Sequence, residues 1–300
     1  MRSFIIIIFT LICSSIFAQN LQELVKNQKY IFEFRDGTTI IGTYEYKKDG
    51  NIWIKNSSNE DVYLPQVMVA QIHEANDKNI VDGEYWFPNL HDTRYFFSPS
   101  AYGLEEGEGY FGHSYWLLWQ MQYGLSDNVS FGFGTTVFGI PTSLNVKYSL
   151  EIKENLNTAF GYFWVGDLFN FLGEDDNSLL HLPYTVLTTG SKENNLSIGI
   201  GYNLQNLSSG EQDAIDRLAL NIGGVTRTSR RFSLLFEAWF LDMGNEEPTI
   251  LGGPGLRYYR KINRVSAKNG AGAKTFDFQL VISSFTDGAV IPMFGASQRF

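Results

Sequence analysis

The chain has one cysteine, eight prolines and four histidines in 300 residues. One thiol excludes a disulfide framework and Cys-based zinc and iron–sulfur sites. Eight prolines exclude a Pro-rich linker protein. None of His73, His91, His113 and His181 has a partner at H-x-x-x-H or H-E-x-x-H spacing, so no metal site is expected. No cofactor motif is present, and none is expected. Basic residues are scarce: Lys and Arg number 23 against 32 Asp and Glu, for a net charge of -9. That balance excludes a generic nucleic-acid binder. Beyond the N-terminus no apolar run reaches the length of a membrane helix, so a helical membrane protein is excluded.

What is abundant points elsewhere. The chain is 44% hydrophobic and 15% aromatic, which excludes disorder. Met1-Arg2 is a short basic start, Phe4 to Ile12 is apolar, and Ala18 is a small residue before Gln19. This is the layout of a cleaved secretory signal over residues 1–18. A lipoprotein box wants a small residue before its Cys, and Ile12 stands before Cys13. An exported precursor is therefore expected.

The remaining apolar residues alternate. Val129, Phe131, Phe133 and Thr135 interleave with Ser130, Gly132 and Gly134. Leu144, Val146, Tyr148 and Leu150 interleave with Asn145, Lys147 and Ser149. Leu196, Ile198 and Ile200 interleave with Ser197, Gly199 and Gly201, and Phe276, Phe278, Leu280 and Ile282 with Asp277, Gln279, Val281 and Ser283. A period of two places each set on one strand face. The fold class expected is all-β. Periodicity alone fits a soluble sandwich with its apolar face inward, or a membrane barrel with that face toward lipid.

Length and spacing favour the barrel. About twelve segments can be drawn: 94–103, 110–123, 128–138, 142–152, 156–166, 179–190, 195–205, 216–227, 231–241, 249–262, 274–284 and 291–300. Many have the length of a tilted crossing, whereas soluble strands are usually shorter. If the first runs outward, inner connections such as 153–155 and 228–230 are short. Outer ones such as 167–178 and 206–215 are longer, as in bacterial barrels. Charges sort too. Glu105, Glu106, Glu108, Asp167, Asp175, Asp176, Glu211 and Glu246 fall outside, and Lys153, Lys192, Arg227, Arg230 and Lys268 fall inside. The chain ends in Phe300, with Phe294, Ala296 and Gln298 on the same face.

That ending resembles the C-terminal strand of bacterial outer-membrane β-barrel proteins. The resemblance covers residues 91–300 and departs from the pattern at the polar Gln298 and at Pro292. It implies an antiparallel transmembrane barrel in the outer membrane. Its partners would be membrane lipid, lipopolysaccharide and a barrel-assembly machinery that reads Phe294 and Phe300.

Residues 19–90 read as a small five-stranded β domain and a linker. Phe32, Phe34, Asp36, Gly37, Ile40 and Gly42 resemble the opening hairpins of small SH3-like or Sm-like barrels. RNA binding is not carried over, since the segment follows a signal and is not strongly basic.

Candidate chemistry is sparse. Gly112-His113-Ser114 resembles part of the G-x-x-H-x-S-N-G site of outer-membrane phospholipases, themselves twelve-stranded barrels. The H-x-S spacing and the Asn-Gly are missing, and adjacent strand residues face opposite sides, so no catalytic residue is assigned. Glu105, Glu106 and Glu108 could hold divalent cations with lipopolysaccharide, or form a solvated acidic loop. Asp175, Asp176, Asn177 and Ser178 lack the spacing of a calcium loop. Lys147, Arg217, Glu237, Arg257 and Asp277 fall on the small or polar face. A charge facing lipid at mid-depth costs about 2–4 kcal/mol, so these five are expected to point inward. There they either fill a narrow interior as an ion-pair network or line an aqueous path. The expected function is a non-enzymatic outer-membrane barrel, either a narrow pore or a structural envelope protein. The alternatives are a lipid-acting barrel enzyme and a soluble secreted β-sandwich.

Overall fold

The computed structural model describes residues 24–36, 38–75, 80–82, 84–167, 180–204, 218–241, 249–260, 273–284 and 289–300. The proposed signal, 1–18, lies outside them. The chain divides into two compact units, Met1–Asp77 and Lys78–Phe300.

The first unit is an antiparallel sheet of five strands: β1 (Lys29–Phe34), β2 (Thr39–Lys48), β3 (Asn51–Lys55), β4 (Asp61–Pro65) and β5 (Val69–Glu74). Their order is β4-β3-β2-β1-β5. Asp36 fixes the first turn, its Oδ1 accepting from the Thr38 N–H at 2.8 Å. Asp49 and Gly50 form the second with φ of 52° and 74°, which is the backbone a two-residue hairpin needs. Tyr30, Phe32, Ile52, Ile54 and Leu64 are the buried core.

The second unit opens with the short pair β6 (Ile80–Val81) and β7 (Glu84–Tyr85). The remaining strands are β8 (Gly109–Ser114), β9 (Leu118–Gly124), β10 (Val129–Thr136), β11 (Thr142–Lys153), β12 (Leu156–Gly166) and β13 (Leu180–Gly190). They continue with β14 (Asn194–Tyr202), β15 (Leu218–Ser229), β16 (Phe232–Leu241), β17 (Thr249–Tyr259), β18 (Lys274–Ser283) and β19 (Val290–Arg299). These twelve form a closed antiparallel barrel. Each pairs with its sequence neighbours, and β19 pairs with β8. Closure leaves no unpaired sheet edge, and this excludes the sandwich.

The two faces follow the alternation. Ile198, Ile200, Leu234, Ile250, Phe276 and Ile282 lie on the outer face, where Ile198 is 57% exposed. So continuous an apolar surface suits lipid and not water. Ser130, Gly132, Gly134, Lys147, Ser197, Glu237, Arg257 and Asp277 face inward. One end of the barrel carries tight connections such as 154–155, 191–193 and 230–231; the other carries 167–179 and 203–217. We call these the turn end and the loop end.

Two segments differ from the sequence expectation, and their errors cancel in the strand count. Residues 94–103 are no barrel strand. Pro99, between Ser98 and Ser100, cannot donate to a ladder, and the only pairing there is the isolated bridge Arg94–Pro99. Residues 110–123 are two strands. Tyr115 and Trp116 have φ of 52° and 60° and turn the chain between β8 and β9. Glu105, Glu106 and Glu108 therefore lie at the turn end and not in an outer loop. The Gly107 N–H donates to Gly124 O at 3.0 Å, and Glu106 N to Asp127 Oδ1 at 3.0 Å. Asp175 to Ser178, Glu211, Glu246 and Lys268 lie outside the described residues.

Candidate functional site

The stretch between β7 and β8 folds into the barrel. It enters at the turn end, where the Asn89 N–H donates to Glu193 Oε1 at 2.7 Å and Asn89 Nδ2 to Lys192 O at 2.8 Å. His91 Nε2 lies 3.0 Å from Ala273 O. The chain then doubles back, with Tyr95 N donating to Ser98 O at 2.9 Å and Ser100 N to Thr93 O at 3.1 Å. It leaves at the same end, where Tyr102 Oη donates to Gly190 O at 2.7 Å. This is a re-entrant hairpin, buried from His91 to Phe96 and again at Ser98 and from Ser100 to Tyr102.

Four of the five candidate lumen charges hold it. Asp277 receives Arg257 Nε at 2.8 Å on Oδ1 and Arg257 Nη2 at 3.0 Å on Oδ2. It also receives Arg94 Nη1 from the hairpin at 3.1 Å. Arg257 donates further to His91 O at 2.9 Å and Tyr95 O at 2.7 Å. A planar guanidinium with five donors suits such a junction. Lys147 Nζ donates to Ser100 O at 3.1 Å and Tyr102 O at 2.7 Å. Glu237 accepts the N–H groups of Phe96 at 2.8 Å and Phe97 at 3.0 Å, and Trp239 Nε1 at 2.8 Å. All four are buried. They bind a folded-in piece of the chain and do not form a closed network among themselves. Arg217 lies outside the described residues.

Neutral groups complete the clasp. Tyr95 Oη lies 2.6 Å from both Asn195 Oδ1 and Ser197 Oγ, and the Ala101 N–H donates to Thr188 Oγ1 at 2.8 Å. The Tyr95 ring lies over Gly223, where a Cβ would overlap it. At the entrance, the Arg227 guanidinium lies 3.9 Å from the Tyr259 ring centroid and 4.9 Å from that of Phe87, and it pairs with Glu193 at 3.2 Å. Lys192 pairs with Asp92 at 3.1 Å. The Asp92 carboxylate raises the Lys192 ammonium above its ordinary value of 10.5. Glu108 pairs with Arg299 on the last strand.

Sequence reasoning missed the hairpin's own residues, Arg94 and Tyr95 above all. A signal was present. Polar residues run consecutively from His91 to Arg94, which breaks the period of two, and Pro99 sits where a central strand would need an N–H.

The other expected groups sit as follows. His113 points outward, its ring 4.1 Å from Trp116 and 5.3 Å from Trp119. Ser114 points inward and is buried. The two face opposite sides of one strand and cannot act as base and nucleophile. Phe294 and Phe300 lie on the outer face, 52% and 41% exposed. The terminal residue is fixed to the barrel start by reciprocal bonds between Phe300 and Gly109 of 3.0 and 2.8 Å.

A closed antiparallel ladder with an apolar outer face and a polar, filled interior defines an outer-membrane β-barrel protein. No family model matches the chain. No curated protein matches it either. Among solved structures, the barrel is similar to the KdgM porin at 8% identity and a TM-score of 0.43, covering 64% of this chain and 98% of that one. It is similar to the NanC porin at 10% identity and a TM-score of 0.40, covering 63% and 97%. A loop L8 deletion mutant of OmpT, an outer membrane protein of Vibrio cholerae, gives 11% identity and a TM-score of 0.31 over 91% and 96%. Likeness at this level adds nothing to what the strand ladder itself defines.

Proposed function

We propose that this chain is a non-enzymatic outer-membrane barrel held shut by its own re-entrant hairpin. The turn end faces the periplasm and the loop end faces outward, the usual orientation of short turns and long loops. Lipid covers the apolar face, lipopolysaccharide borders the loop end, and the assembly machinery reads Phe294 and Phe300. Glu105, Glu106 and Glu108, at the turn end, have no part in holding lipopolysaccharide. No nucleic acid partner is proposed, and no transported solute is assigned.

One observation carries the reading: buried charges on β11, β16, β17 and β18 are satisfied by backbone and side-chain groups of residues 91–102. Burying a charge is costly unless it is paired, so the barrel wall is complementary to this occupant. The chosen state is closed: without the hairpin, Lys147 and Glu237 would lose these backbone partners, and Asp277 would lose Arg94.

The test is conductance in planar lipid bilayers. The full chain, extracted in mild detergent and shown to migrate differently before and after boiling, should insert and stay near baseline. A steady, ohmic conductance of porin size from the unmodified protein would overturn the closed reading.

A further inference from the structure

We propose that the space above the hairpin tip binds an uncharged, hydroxyl-rich small molecule of sugar size. This rests on the closed-lumen reading, because the hairpin is the floor of the cavity. The cavity has a volume of about 390 Å³ and extends from Arg94, Phe97 and Pro99 to Thr136 and Pro141 near the loop end. That is the size of a small-ligand site.

The chemistry of the wall selects the ligand. Among the described residues no Asp or Glu lines it. The two cations at its floor are already engaged: Arg94 by Asp277 and Lys147 by hairpin carbonyls. An anion would find no free cation there, and a cation would find no carboxylate. The carboxamides of Gln120, Asn145 and Asn221 remain, together with Tyr184. Each carboxamide both donates and accepts, which matches a sugar hydroxyl. Tyr184 Oη donates to Asn145 Oδ1 at 3.2 Å, fixing that pair. The side chains of Gln120 and Asn221 make no hydrogen bond to another described residue. Asn221 is buried, with its Oδ1 against Gly199, where a Cβ would overlap it. Both carboxamides line the cavity and are open to it, so a ligand hydroxyl can pair with them directly. Phe97 on the hairpin, 40% exposed, and Trp239 on β16 add the aromatic surface on which a pyranose face packs.

The experiment is calorimetric titration of the full-length protein in detergent with maltose, lactose, cellobiose and diacetylchitobiose, and with a digalacturonate as the charged comparison. At least one uncharged disaccharide should bind in the millimolar range or tighter, and the digalacturonate at least tenfold more weakly. Asn221→Leu and Gln120→Leu, each checked for the heat-dependent gel shift, should weaken that binding tenfold or more. Absence of binding by all four uncharged sugars would overturn the proposal. So would preference for the digalacturonate, or unchanged affinity in both variants. Titration reads the cavity and conductance reads the hairpin, so either reading can fail alone.

Discussion

Replacing Asp277 with Asn should release the hairpin while leaving the barrel intact. Asp277 is the one carboxylate between two buried guanidiniums, accepting from Arg257 at 2.8 and 3.0 Å and from Arg94 at 3.1 Å. Breaking a buried ion pair by neutralising one partner costs about 3–5 kcal/mol, because the other charge stays buried and uncompensated. Arg257 keeps its bonds to His91 O and Tyr95 O, and the Asn carbonyl still accepts, so the low end applies. A loss of about 3 kcal/mol is roughly two decades in an equilibrium constant. The loss falls mainly on docking. Undocking lets water reach both guanidiniums, whereas the ladder bonds of β17 and β18 are backbone bonds that Asn does not touch. D277N should therefore show about a hundredfold rise in open probability in planar bilayers, with the heat-dependent gel shift retained. Wild-type conductance together with wild-type thermal stability would refute the assignment of Asp277 as the central clasp.

Gly223→Val should also displace the hairpin, since a Cβ there overlaps the Tyr95 ring. Overpacking of this kind costs about 1–3 kcal/mol, and brief periplasmic-side proteolysis should cut between β7 and β8 in the variant before it cuts the wild type. Phe300→Ser should lower the membrane yield of heat-modifiable protein severalfold if the terminal aromatic is read during assembly. Equal yield would remove that role. The Lys192–Asp92 pair should matter little. The raised Lys192 ammonium keeps its contribution below pH 10.5 and loses it as pH rises through its higher folded value. With Lys192 59% exposed, the pair is worth at most about 1 kcal/mol. Between pH 6 and 9 this pair should add no pH dependence to closure, and Lys192→Met should conduct like the wild type.

The barrel was legible in the sequence because its strands obey one rule over long stretches. Leu144 to Leu150 and Leu196 to Ile200 alternate without interruption, and each face has a single environment. The inward set was legible for the same reason: energetics forbids Lys147 or Arg257 on the lipid side. An ion pair among them was legible, and Arg257 with Asp277 is one; their contacts with the hairpin were not. Besides Asp277 across the ladder, the partners of Arg257 are carbonyls of His91 and Tyr95, some 160 residues earlier in the chain, and no local pattern reports a contact made through a backbone oxygen. The hairpin was misread as a strand because Tyr95, Phe96 and Phe97 supply the aromatic content of a crossing segment. Only Pro99 and the polar run before it argued otherwise.

Both arms of the hairpin leave the barrel through the same rim. The chain passes in and out without threading from one opening to the other, so the β19–β8 seam never encircles a through-going strand. Insertion and withdrawal are thus topologically free: no ladder bond has to break and no chain end has to pass the lumen. The barrel can close before its occupant arrives. A pull on the chain before Asn89 acts directly on the side of the hairpin that Asp277 and Arg257 restrain.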